Sequence, residues 1–167
     1  MAADIGAIIG IDGEKAFRDS LGAINSQMKA LGSEMKAVVA GFAGMEDSEE
    51  AISAKTDVLG RSIEASTQKL DLLQKQSDRA KTKLETLSDE LEKAKKEFGE
   101  NSEQALKAQN AYNRQATATN KLETQINQTR AEISKMEREM RDAGNAADKM
   151  GDELDFIYLS NYLPLLG

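Results

Sequence analysis

The sequence predicts an all-α chain: a long antiparallel coiled-coil hairpin, preceded by a heptad helix and a short N-terminal extended arm. Three observations carry this. Large apolar residues recur at alternating spacings of four and three along most of the 167 residues, the a/d pattern of helices that pack along a narrow seam. Charged residues make up 31% and aromatic residues 4%, a balance that suits long helices of Ala, Glu, Lys, Leu, Gln and Arg. Gly99 sits between two long periodic stretches and marks a fold-back.

Residues 1–13 read as the extended arm. The stretch DIGAIIGIDG is a short apolar run closed by the turn pair Asp12-Gly13. A lone strand leaves its backbone groups unpaired, so the arm is expected to meet a partner chain or to lie loose.

The first helix is expected over 14–45. Its seam is Phe17, Leu21, Ile24, Met28, Leu31, Met35, Val38, Phe42 and Met45. Gly22, Gly32, Gly41 and Gly44 weaken it, each costing about 1 kcal/mol against alanine in a helix interior. The helix therefore needs a partner, and a hinge is expected near Gly44. Unless the stripe folds across Gly44 it has no cover within the chain, so a homo-oligomer is expected. Phe17, Leu21, Ile24, Met28, Leu31 and Met35 are the candidate partner-binding residues.

The hairpin is expected over 46–153, with its turn near 99–101. The helix is expected to start at Asp47 or Ser48; Asp47 and Glu50 form a capping-box pattern, and Glu49 and Glu50 complement the helix dipole. The seam then runs Ile52, Thr56, Leu59, Ile63, Ser66, Leu70, Leu73, Ser77, Ala80, Leu84, Leu87, Leu91, Ala94, Phe98. Beyond Gly99, Asn101 with Gln104 caps a second helix. Its weaker seam includes Ala105, Ala108, Tyr112, Gln115, Thr119, Leu122, Ile126, Thr129, Ile133, Met136 and Met140. Folding at Gly99 pairs residues whose numbers add to about 199, such as Leu73 with Ile126 and Leu87 with Tyr112. In that register no polar seam residue faces another. Residues 154–167 form an apolar C-terminal tail without a heptad, containing the only proline, Pro164.

Chemistry is scarce. Cysteine and histidine are absent, which removes a thiol nucleophile, an imidazole base and the usual zinc ligands. No phosphate loop follows Gly10 or Gly13. An enzyme is not expected, nor a cofactor or a metal. A net charge of −7 repels phosphate backbones, so nucleic acid is not an expected partner. The one stretch offering membrane contact is 156–166, and it is too short to span a bilayer.

Two quoted stretches carry a family resemblance. The arm and first helix, IIGIDGEKAFRDSLGAINSQMKALGSEMKAV, and the hairpin with KKEFGENSEQ at its tip resemble the N-terminal region of phage tail tape measure proteins. The resemblance covers about residues 5–153. It implies a virion structural protein that acts in tail length determination and tail assembly. It implies contact with tail tube, assembly chaperone and tail-tip proteins, and a place in the virion tail, or in the bacterial host cytoplasm during assembly. Members of the family usually run to many hundreds of residues, so a truncated or split form is expected. The alternative from another class is a cytosolic coiled-coil adaptor, or a secretion-type helical hairpin that binds partner helices.

Overall fold

Three helices build the protein: α1 (Glu14–Gly41), α2 (Glu49–Phe98) and α3 (Glu103–Tyr162). The computed structural model describes residues 13–162, with side chains as far as Asp148. Apart from Gly13, the expected extended arm lies outside the described residues, as do positions 163–167 of the expected tail.

Helix ends follow backbone chemistry. α1 stops at Gly41, slightly short of the expected 45, and the chain reverses through 42–48. Gly44 has φ +82°, a left-handed conformation that glycine adopts without a Cβ penalty. The Met45 N–H donates to the Phe42 carbonyl at 2.8 Å, and the Ser48 N–H to the Met45 carbonyl at 3.0 Å. Ser48, rather than Asp47, caps α2: its Oγ accepts the Ala51 N–H at 3.2 Å. The second reversal is the expected one, with Gly99 at φ +91° and its N–H donating to the Lys95 carbonyl at 3.0 Å. Ser102, rather than Asn101, caps α3, accepting the Ala105 N–H at 3.1 Å. In both places a serine hydroxyl sits three residues before the amide it must reach. α3 continues through Gly151 to Tyr162, because a single glycine weakens a helix without ending it.

The chain divides into two compact units, and each draws on all three helices. The first comprises Met1–Asn25 with Thr67–Ala131; the second comprises Ser26–Ser66 with Glu132–Gly167.

In the first unit, α2 and α3 run antiparallel in the register the seams predict. Leu73, Ala80, Leu122 and Ile126 share one buried cluster. The Ser77 hydroxyl donates to Glu123 Oε1 at 3.1 Å, and Gln115 Nε2 donates to the Ala80 carbonyl at 3.1 Å. Both bonds join positions whose numbers add to within a few of 199. Phe17 from α1 enters the same cluster with Ala118 of α3, and Leu21 packs against it. Burying a phenylalanine this fully contributes about 1.5–3 kcal/mol. Toward the Gly99 turn, Leu87, Leu91, Ala94 and Ala105 stay buried between α2 and α3.

In the second unit, Leu31 of α1 packs with Val58 and Ala65 of α2, flanked by Met28, Met35 and Val38. The α3 seam is represented by Met140, whose Cε lies 3.4 Å from where a Cβ on Gly60 would stand.

Cysteines at Leu73 and Ile126 should therefore cross-link within one chain under mild oxidation, whereas Leu73 with Met140 should not. Leu122→Ala should cost about 2–4 kcal/mol in urea unfolding. Leu106→Ala, at a side chain 54% exposed, should change stability by less than about 0.5 kcal/mol.

Candidate functional site

The candidate partner-binding residues are divided between the two units. Phe17 is buried and Leu21 half-buried against α2 and α3 in the first unit. Leu31 is buried, and Met28 and Met35 half-buried, against α2 in the second. Ile24 is half-buried. The stripe does fold across Gly44, and α2 covers it within the same chain. The reason is a second stripe on α2. Ala51, Val58, Ala65 and Leu72 recur every seven residues beside the seam; the first three are buried, and Leu72 is half-buried. That spacing is visible in the sequence and is the signal that locates α1.

Two charged clusters pin these faces. In the second unit the Arg61 guanidinium donates to both carboxylate oxygens of Glu34 on α1, the Nη1 bond measuring 2.9 Å. It also holds Asp57, with Nε at 3.1 Å. The arginine lowers the Glu34 pKa, first through the hydrogen bond, and Glu34 and Asp57 together raise that of Arg61. A planar guanidinium binds one carboxylate through two parallel N–H bonds while its remaining N–H holds a second, a fixed fork that an ammonium lacks.

In the first unit Lys81 Nζ lies 2.6 Å from Glu123 Oε1, the oxygen that also accepts the Ser77 hydroxyl. Lys81, and then Ser77, hold the Glu123 carboxyl below its ordinary value, and Glu123 raises Lys81. These groups, with Gln74, Asp78, Ile126 and Arg130, line a shallow cleft of about 250 Å³. Lys81 is 53% and Glu123 40% exposed, so the pair is a solvated clasp between α2 and α3.

Amides complete the polar interior of the first unit. Gln115 is satisfied by the Ala80 carbonyl, and the Thr119 hydroxyl donates to the Gln115 carbonyl at 3.0 Å. Gln76 Nε2 and Gln125 Oε1 are enclosed without a hydrogen-bond partner.

Glu46, Asp47, Glu49 and Glu50 serve the start of α2 and the turn before it. Glu46 Oε1 accepts the Gly44 N–H at 2.8 Å, and that bond lowers the Glu46 pKa. Among the described residues no group of three or more carboxylates converges on a metal-sized space. No described helix is long and apolar enough to cross a membrane. Compared with protein families, curated proteins and solved structures, the chain finds no match.

Two outcomes follow from the polar groups. Gln76→Met keeps the side-chain volume and removes an unpaired buried amide, so stability in urea should rise by about 1 kcal/mol. The lowered Glu123 pKa gives a contribution that is present at neutral pH and lost as pH falls through that lowered range. Glu123→Gln should therefore narrow the stability gap between about pH 7 and about pH 3, measured by denaturant titration at each pH.

Proposed function

We propose that this chain is a structural protein of a phage tail that acts as a tape measure protein does, in tail length determination and tail assembly. The observation that carries the reading is the resemblance of residues 5–153 to the N-terminal region of that family. The physics of the chain supports it. An α-helix rises a fixed 1.5 Å or so per residue, so residue count becomes distance, and the 50 residues of α2 alone correspond to about 75 Å.

On this reading the protein resides in the virion tail, and in the host cytoplasm during assembly. Its partners are tube, chaperone and tip proteins. Among the described residues, the large apolar side chains left open to such partners are Val39, Met45, Phe98 and Leu106. A cytosolic adaptor or secretion-type hairpin that binds partner helices is the second reading, and the same experiment separates the two.

The experiment removes one matched layer of the hairpin. Residues 87–93 and 106–112 face each other in the register near 199. They lie beyond the start of α1, since Gly13 sits beside Arg79. Their joint deletion keeps both heptads in phase and leaves α1 on its own register. In particles built with this chain, mean tail length should fall by about 10 Å if the helices stay hairpinned, or by about 20 Å if they open end to end. Duplicating the same two segments should lengthen tails equally. Electron microscopy reads both. Normal tails of unchanged length would reject the ruler and leave the adaptor.

A further inference from the structure

We propose that the turn at 42–48 is a phase-matched hinge through which α1 and α2 interconvert between the folded-back pair and one continuous helix. This inference concerns the chain alone and does not depend on the phage reading.

The first observation is the seam itself. The α1 seam ends at Val38, Phe42 and Met45; the α2 seam begins at Ile52, Thr56 and Leu59. Glu49 falls between them on the same alternation, so positions 38, 42, 45, 49, 52, 56 and 59 continue one heptad without slip. A turn that folds one helix back on another frees their phases, and two seven-residue patterns then agree about one time in seven. A single helix through the turn requires agreement. The folded-back form makes no use of it, because α1 packs on the Val58 and Ala65 face of α2.

The second observation is what the folded-back form leaves open. Met45, a seam residue, is 58% exposed, and Val39 is 48% exposed. In the hairpin register Glu49 stands opposite position 150, yet α3 runs on to Tyr162. A continuation of α2 toward its own N-terminus would therefore lie alongside helix rather than in water.

The third observation is what holds the turn: two backbone hydrogen bonds, the Lys55 ammonium on the Glu46 carbonyl at 3.3 Å, and contacts at Gly44 that one substitution can remove. Gly44 sits at φ +82°, and the Glu46 carboxylate accepts its N–H. A Cβ on Gly44 would meet nothing within 4 Å, so only backbone conformation opposes a side chain there. Opening uncovers Phe17 and Leu21, uncovers Leu31, Val58 and Ala65, and breaks the Glu34–Arg61 clamp. It brings Met45 into the continuous seam, removes the left-handed residue and adds helical hydrogen bonds through 42–48. The two forms differ in length: a helix from 14 to 98 spans about 128 Å, against about 75 Å for α2.

Spin labels at Ser33→Cys and Glu64→Cys, both exposed, test this by pulsed dipolar spectroscopy, with unlabelled protein in excess so that only intrachain distances count. Folded-back helices hold the labels about 10–20 Å apart; the continuous helix separates them by about 46 Å. Gly44→Ala penalises the turn and favours the helix, so it should raise the long-to-short ratio at least tenfold. Glu46→Gln keeps the glycine and should raise the ratio severalfold. Inserting two alanines after Ala43 in the Gly44→Ala chain preserves helix propensity but breaks the phase, and should return the ratio toward wild type. Short distances alone in both Gly44→Ala and Glu46→Gln would overturn the hinge. A long fraction untouched by the insertion would overturn the phase match as its cause.

Discussion

α2 is covered on two faces, and the rest of the fold depends on that. Its seam is buried from Ile52 to Ala94, and Leu73 and Ala80 pack on Leu122 and Ile126 of α3. Its second stripe, at Ala51, Val58 and Ala65, is buried beside α1. A helix with one apolar stripe is satisfied by one partner; a helix with two must recruit a third helix or leave apolar area in water. α1 is the helix within reach, and its three glycines, Gly22, Gly32 and Gly41, keep it from being stable alone. Each element therefore supplies what another lacks. The small side chain of Ala65 packs in the same cluster as Leu31 of α1.

Apolar burial along a heptad repeat is nearly indifferent to a slip of seven residues, because every layer resembles the next. The polar seam residues remove that indifference. Ser77 donates to Glu123, which also holds Lys81; Gln115 reaches the Ala80 carbonyl. Each bond exists in one register, and a slip would strand a buried amide or hydroxyl at a cost of about 1–3 kcal/mol. Arg61 does the same for α1 by gripping Glu34. The weak seam of α3, which looks like a defect when hydrophobicity alone is counted, specifies alignment. Among the described residues, the seam hydroxyl of Ser66 and, beside the seam, Gln76 Nε2 and Gln125 Oε1 are enclosed without that return.

A helix is a stiff element whose length follows from its residue count. A molecule made of helices therefore changes its dimensions at its turns. The two turns differ in kind. At Gly99 the residues on either side are seam partners of one another, so opening it would strip both helices along their length. At Gly44 the residues on either side share one continuous phase, and the exposed Met45 marks apolar surface that the folded-back form leaves uncovered. On the proposed hinge, the second kind of turn is the adjustable one.

The sequence by itself determined the helices, their pairing and the register at the Gly99 turn. Those follow from spacing: apolar residues at four and three, a glycine where the phase must reverse, and polar seam positions that each face an apolar one. It also determined that no imidazole or thiol chemistry is present, because the residues are absent. Only the tertiary structure decided where α1 goes. The Phe17 to Met35 stripe is equally suited to another chain or to its own, since an a/d seam carries no label for its partner. Proximity through a short turn, the Ala51–Val58–Ala65 stripe and the Glu34–Arg61 pair together favour its own chain. The serine caps at Ser48 and Ser102 were likewise settled by geometry. Asp47 and Asn101 have equally suitable side chains, but the caps fall to the serines, whose hydroxyls accept the amides three residues on.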